Sequence, residues 1–282
     1  MLDDKKLCII GSGYMAEAII KGLVSKNLLP AENIFVVNPL DEEKVLKLKD
    51  LYGIIPREKE AGIIDADIII IAFKPQDVAE AMAMYNPFFR KDHLLISILA
   101  GISTDLLQKL ADSPLAIVRT MPNLALGIGE SATAYCLGKY ANEKHAQTVE
   151  KIFSTTGSII RVQEKDMDIV TGLSGSGPAY IYYLLEALIE GGCKEGLSEE
   201  KAMELAKQTL IGAAKLLQES GAHPKELRRK ITSAKGTTEA AINKMDSYQF
   251  TKIVQEGVSA ATRRSKQLGK IFEENAIHVV NM

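Results

Sequence analysis

The feature that most constrains this chain is an apolar run that breaks into glycines and restarts as a helix. Leu7-Cys8-Ile9-Ile10 leads straight into Gly11-Ser12-Gly13-Tyr14-Met15-Ala16, and Met15–Ser25 continues with helical periodicity. A strand, a GxGxxA turn and a helix in that order form a site for a pyrophosphate. Gly11 makes the tight turn, Gly13 lets the backbone approach the phosphates, and Ala16 lets the helix lie close to the sheet. The unpaired N–H groups and the positive dipole end of the helix hold the negative charge. Alone the motif is a weak signal. With the strand before it, the helix after it and a second strand ending at Val37, it predicts a bound dinucleotide.

The rest of the first half supports this. Ile34–Val37, Ile68–Ala72, Leu94–Ile98, Ala116–Arg119, Ala132–Cys136 and Ser158–Val162 all read as short strands bounded by turn formers. Helical patterns such as Asp41–Leu51 lie between the early ones. Runs such as Ile68-Ile69-Ile70-Ile71 suit a parallel sheet buried on both faces. We therefore expect an α/β fold, with an N-terminal Rossmann-type dinucleotide-binding domain over residues 1–161.

In an open parallel sheet, ligands lie at the carboxyl ends of the strands. The expected cofactor contacts are thus Gly11, Ser12, Gly13, Tyr14, Met15, Asn38, Pro39, Ala72, Phe73, Lys74, Pro75 and Ala100, to which the resemblance given below adds Asn123. An acid at the end of the second strand would bond the ribose 2′-OH of NADH and repel the 2′-phosphate of NADPH. Asn38-Pro39 stands there instead, which favours NADPH over NADH. The absence of an arginine beside it, and the nearness of Asp41 and Lys44, leave both cofactors open.

From about Glu164 the strand signal stops, and residues 162–282 read as an all-α domain. Pro178–Ile189 is apolar almost all round and needs burial on every side, by its own domain or another subunit. Glu199–Gln218 is amphipathic, and two shorter helices start near Thr237 and Gln249. Two helix starts are rich in hydroxyls. Thr171-Gly172-Leu173-Ser174-Gly175-Ser176-Gly177-Pro178 suggests a helix capped at Ser176 or Gly177, with Pro178 in its first turn. Thr232-Ser233-Ala234-Lys235-Gly236-Thr237-Thr238 is the second. Both suit a carboxylate or another anion.

Composition bounds the partners. Lys plus Arg is 34 and Asp plus Glu is 36, a net charge of −2, so nothing global draws the chain to nucleic acid or to a membrane surface. Cys8, Cys136 and Cys193 lack metal or disulfide spacing, and His93, His145, His223 and His278 are scattered. No apolar stretch reaches the ~20 residues of a membrane span, and the N-terminus has no signal-peptide pattern. A cytoplasmic protein is expected. No G-x-S-x-G elbow and no Walker A motif occurs, which leaves hydride transfer as the chemistry.

Taken together, these motifs resemble pyrroline-5-carboxylate reductase from about Leu7 to Leu268. The resemblance is carried by Gly11–Ile19, Phe73-Lys74-Pro75, Leu99-Ala100-Gly101, Arg119-Thr120-Met121-Pro122-Asn123, Gly172–Tyr180 and His223-Pro224 with Ser233–Thr238. It implies NAD(P)H-dependent reduction of 1-pyrroline-5-carboxylate to L-proline. It also implies that Ser233, Gly236 and Thr237 hold the substrate carboxylate, that Thr238 bonds the ring nitrogen, and that Glu164 lies near the substrate. Thr238, Ser233 and Ser174 are the candidate catalytic residues. By the same resemblance the helical domain is a dimerisation domain, its homodimers assembling in some members into decamers, with each active site shared between two chains. No metal is expected. Three departures stand out: Leu124-Ala125 in place of Thr-Pro, Ala234-Lys235 in place of Pro-Gly, and Pro39 where many members have Arg. The rival readings are a β-hydroxyacid dehydrogenase, which would need a catalytic lysine soon after Gly177 whereas none occurs before Lys194, and a non-catalytic nucleotide-binding paralogue.

Overall fold

The structure, a computed structural model, describes residue 2 and residues 4–280, with side chains as far as Ala276. His278 falls outside the described side chains. Contacts divide the chain into two compact units, Met1–Ser176 with Ser259–Met282, and Gly177–Val258.

The first unit is built on an eight-stranded sheet. Its strands are β1 (Leu7–Ile10), β2 (Ile34–Val37), β3 (Ile55–Pro56), β4 (Ile68–Ile71), β5 (Leu94–Ser97), β6 (Ala116–Met121), β7 (Ser131–Leu137) and β8 (Gly157–Arg161), in spatial order β3-β2-β1-β4-β5-β6-β7-β8. Ile9 is flanked by Val36 and Ile70 in register. Strands β1, β2, β4 and β5 are buried throughout. Because successive side chains point to opposite faces, each run feeds two cores. Leu7, Ile9, Val36, Ile70 and Ile96 pack with Ile19, Ile20 and Leu23 of α1 (Tyr14–Ser25), Leu48 of α2 (Glu42–Tyr52) and Val149 and Phe153. Cys8, Ile10, Phe35, Ile69 and Ile71 pack with residues from the opposite layer of helices. Each fully buried Ile or Leu contributes roughly 1.5–3 kcal/mol.

The second face is covered by α3 (Lys59–Ile64), α4 (Val78–Tyr85) and α5 (Thr104–Leu110), while α6 (Glu143–Phe153) supplies Val149 and Phe153 to the first. Two points differ from the sequence reading. Strand β3 has only two residues, too few to give a periodic signal. β7 runs antiparallel to β6, unlike every other pair, because the short 122–130 connection cannot make the crossover that parallel pairing needs.

After β8 come α7 (Met167–Val170) and a π-turn at Thr171–Gly175. The expected cap at Ser176 or Gly177 is not made. Ser176 has helical φ/ψ, and its N–H donates to the Thr171 carbonyl at 2.9 Å. The glycine- and serine-rich segment is thus a helical irregularity and not a free helix start, a kind of π-bulge that is frequent at functional sites.

The second unit contains α8 (Gly177–Lys194), α9 (Glu199–Ser220), α10 (Pro224–Lys230), α11 (Thr237–Ser247) and the start of α12 (Phe250–Val280). Helices α8 and α9 pack on each other. Even so, Ile181, Tyr182, Tyr183 and Leu188 of α8 and Leu205 and Leu216 of α9 remain exposed in the single chain. Helix α12 has 31 residues and is the longest, not one of two short helices. Its second half belongs to the first unit, where Ala276 is buried in the second core with Phe272 packed against it.

Helix α12 reaches that core across two glycines. A Cβ on Gly269 would lie 2.8 Å from the carbonyl oxygen of Gly101, in the loop after β5. Gly269→Val is therefore expected to destabilise the protein by about 1–3 kcal/mol, as overpacking does. Urea unfolding followed by circular dichroism measures it, and an unchanged midpoint would show that this contact is loose.

Candidate active site

In the first unit the site begins at the β1–α1 turn. Gly11 has φ +118°, and a Cβ there would sit 2.6 Å from the carbonyl oxygen of Ala72, so only glycine fits where the turn passes the end of β4. Gly13 is the N-cap of α1, and no side chain caps the helix. A Cβ on Gly13 would meet no heavy atom within 4 Å. The first N–H groups of a 12-residue helix thus face open space that a side chain would fill, which is what a bound pyrophosphate requires. The residues present fit a dinucleotide.

Around this turn the other expected contacts take distinct roles. Ser12 is buried, and its Oγ accepts from Asn38 Nδ2 at 2.7 Å. Asn38 Oδ1 accepts from the Leu40 amide, and Pro39 lies exposed beside it. Asp41 is committed to capping α2 through the Lys44 amide. Tyr14 is half exposed and donates to the Leu124 carbonyl at 3.1 Å. Met15 packs its side chain on the core. Ala72, Phe73, Lys74 and Pro75 carry the chain off β4, with Phe73 against the second core and Pro75 opening a 3₁₀ turn. Ala100 lies in the loop after β5.

Asn123 ties two segments together. Its Oδ1 caps the following turn at the Ala125 amide, and its Nδ2 donates to the Ser174 carbonyl at 3.1 Å. Ser174 Oγ in turn donates to the Val170 carbonyl. The Ser174 hydroxyl, expected to be catalytic, is therefore engaged in holding the π-turn.

Glu164 is also engaged. Its Oε1 accepts from Arg119 Nη1 at 2.7 Å, while Oε2 accepts from Thr104 Oγ1 at 2.7 Å and Cys136 Sγ at 3.2 Å. Burial pushes this carboxyl up, but Arg119, Thr104 and Cys136 outweigh it and hold Glu164 below its ordinary value. Burial, reinforced by Glu164, pushes the Cys136 thiol up and keeps it protonated. Both Glu164 oxygens accept hydrogen bonds inside the first unit. Sequence reading missed Arg119, Thr104 and Cys136 as its partners, because they come from three separate elements.

The second unit holds Ser233, Gly236, Thr237 and Thr238. Gly236 is the N-cap of the 11-residue α11, again with no side-chain cap, and Thr237 and Thr238 open the helix. The Gly236 amide donates to the Ser233 carbonyl at 3.0 Å, closing a turn. Lys235 sits at φ +59°, a left-handed conformation that explains why glycine is usual there. Its amide donates to Glu239 Oε2 at 2.7 Å, which steadies the turn from within α11.

Two predictions follow from this geometry. Because nothing crowds Gly13, Gly13→Val is expected to fold normally yet weaken NADPH binding by about 100-fold or more. Fluorescence titration beside a thermal melt tests it, and undiminished binding would misplace the phosphate site. For Glu164 the folded pKa lies below the unfolded value near 4.5. Its stabilisation is thus fully present above that value and fades as pH falls through the folded pKa. Wild type should lose stability relative to Glu164→Gln as the buffer is taken from pH 6 to about pH 3; parallel unfolding curves would contradict this.

Comparison with known proteins bears on both units. Residues 6–101 match the family described as NADP oxidoreductase coenzyme F420-dependent, and residues 164–268 match pyrroline-5-carboxylate reductase dimerisation. Pyrroline-5-carboxylate reductase 1 of Bacillus subtilis is 38% identical over 279 residues, covering 98% of this chain and 93% of that one. The crystal structure of the Plasmodium falciparum pyrroline carboxylate reductase with NADP bound is 32% identical, with a TM-score of 0.84 over 95% of this chain and 99% of that one. The pyrroline-5-carboxylate reductase of Coxiella burnetii is 31% identical, with a TM-score of 0.87 over 94% and 98%. An open glycine turn at one helix start, a threonine pair at another, and relatives matched almost end to end agree: this chain belongs to the pyrroline-5-carboxylate reductase family.

Proposed function

We propose that this chain reduces 1-pyrroline-5-carboxylate to L-proline with NAD(P)H, the last step of proline biosynthesis. The observation that carries the reading to the residue level is the start of α11. Its N–H groups are uncapped by any side chain and are preceded by the Ser233 turn. A carboxylate is the natural ligand of such an end, and family membership makes it the carboxylate of a cyclic imine.

With its pyrophosphate held at the β1–α1 turn, a bound NAD(P)H would supply the hydride that the imine carbon accepts. The chain's own groups bind and orient. The N–H groups and hydroxyls around Ser233, Gly236 and Thr237 hold the carboxylate. Thr238 Oγ accepts the N–H of the protonated imine. Once nitrogen is an amine with a lone pair, the same hydroxyl donates to it. The imine arrives already protonated, so the protein supplies no separate acid. Ser174, Asn123 and Glu164 act at one remove, by fixing the π-turn and the loop after β6.

The exposed apolar residues of α8 and α9 support a homodimer formed through the second unit, since apolar surface of this extent marks an interface. Cys8, Cys136 and Cys193 are free, which supports action in a reducing compartment such as the cytoplasm. No described helix is long and apolar enough to cross a membrane.

Thr238→Ala is expected to lower kcat more than about tenfold while NADPH affinity stays the same. Steady-state rates at 340 nm, with proline measured as product, decide it. A variant that turns over like wild type would remove Thr238 from the reaction.

A further inference from the structure

A cavity of about 700 Å³ opens at the carboxyl end of β2, bounded by Asn38, Leu40, Leu46, Arg57, Lys59 and Met84 among others. It adjoins the glycine turn, since Asn38 donates to Ser12 inside that turn. A dinucleotide whose pyrophosphate rests on α1 lays its adenosine ribose at the end of β2. The apolar Leu40, Leu46 and Met84 suit a base, and the polar end of the cavity meets the ribose.

We infer that Arg57, assisted by Lys59, binds the 2′-phosphate of NADPH and so selects it over NADH, taking the place of the arginine that Pro39 displaces. This rests on reading the β1–α1 turn as the dinucleotide site. The charges at this end of the cavity decide the matter. Asn38 offers no carboxylate to a 2′-OH, and Asp41 is occupied with capping α2. The acids on the wall are Glu42 and Glu58, and the cations are Arg57 and Lys59. Arg57 is the one held in place. Its guanidinium lies over the Phe35 ring at 4.9 Å from the centroid, and its nearest ion partner, Asp65, is 3.9 Å away. A guanidinium resting over an aromatic ring and only loosely paired keeps N–H groups for a phosphate, which it can bind bidentately. Both basic residues follow the two-residue strand β3, so its pairing with Phe35 and Val36 of β2 carries them to the cavity.

The test compares NADPH with NADH by fluorescence titration, and 2′,5′-ADP with 5′-AMP by calorimetry, so that no turnover is needed. Arg57→Ala is expected to weaken NADPH and 2′,5′-ADP by about 10- to 100-fold and to leave NADH and 5′-AMP within about threefold. Arg57→Lys should recover part of the loss, and Glu58→Gln should leave NADPH binding equal or tighter. Equal losses for phosphorylated and unphosphorylated ligands, or none, would overturn the assignment. So would a Glu58→Gln protein that loses NADH selectively, since Glu58 would then be reading the ribose hydroxyl. If the wild-type protein bound neither cofactor, the failure would lie with the dinucleotide site itself.

Discussion

Everything in the first unit is arranged around one close approach. The chain turns at Gly11 so near the end of β4 that a methyl group would strike the carbonyl of Ala72. β1 lies between β2 and β4, where the strand order changes direction. That switch point is where an open α/β sheet leaves a crevice. With the turn pressed against β4, α1 starts at the mouth of the crevice with its N–H groups unspent. The cavity at β2 and the loops after β4 and β5 lie around the same mouth. A bulkier residue at Gly11 would disturb the phosphate site and the sheet together.

A second tie works by charge. Arg119 lies on β6 and is buried, and it would be costly there without Glu164. Glu164 follows β8 and is equally dependent on Arg119, with Thr104 and Cys136 both donating to its other oxygen. The antiparallel turn from β6 to β7 is thereby joined to the segment that leads into the π-turn. Asn123, two residues past the carboxyl end of β6, makes the neighbouring link to Ser174. The π-turn thus keeps its own backbone bond from Ser176 to Thr171, and the Asn123 amide ties it to the loop after β6.

The sheet and its glycine turn were legible in the sequence because their signals are local. Leu7–Ile10 and Ile34–Val37 are strands to the residue, since four apolar residues between turn formers admit little else. Features that depend on distant pairing were not legible. Ile55–Pro56 is a strand only because Phe35 and Val36 of β2 offer it an edge. Glu164 carries the right chemistry for a site, yet the groups that occupy it are far away in sequence, and the Ser174 hydroxyl is taken by Val170 four residues back only because the segment winds as a helix. The turn at Ser233–Thr238 was visible as a composition, but the left-handed backbone of Lys235 and its bond to Glu239 were not. The length of α12 was hidden for a related reason: its second half takes its apolar pattern from a core belonging to residues far earlier in the chain.

That last point bears on how the molecule comes into being. Ala276 and Phe272 complete a core whose other members lie between Cys8 and Ile117. During synthesis the nucleotide-binding unit therefore emerges almost entire, yet with one flank of its interior uncovered, and waits while the whole helical unit is made. Exposed apolar surface of that kind favours association with other chains while it lasts. Completion of the older unit is thereby coupled to arrival of the newest residues, and a ribosome that stalls anywhere within the helical unit releases a sheet that cannot seal itself.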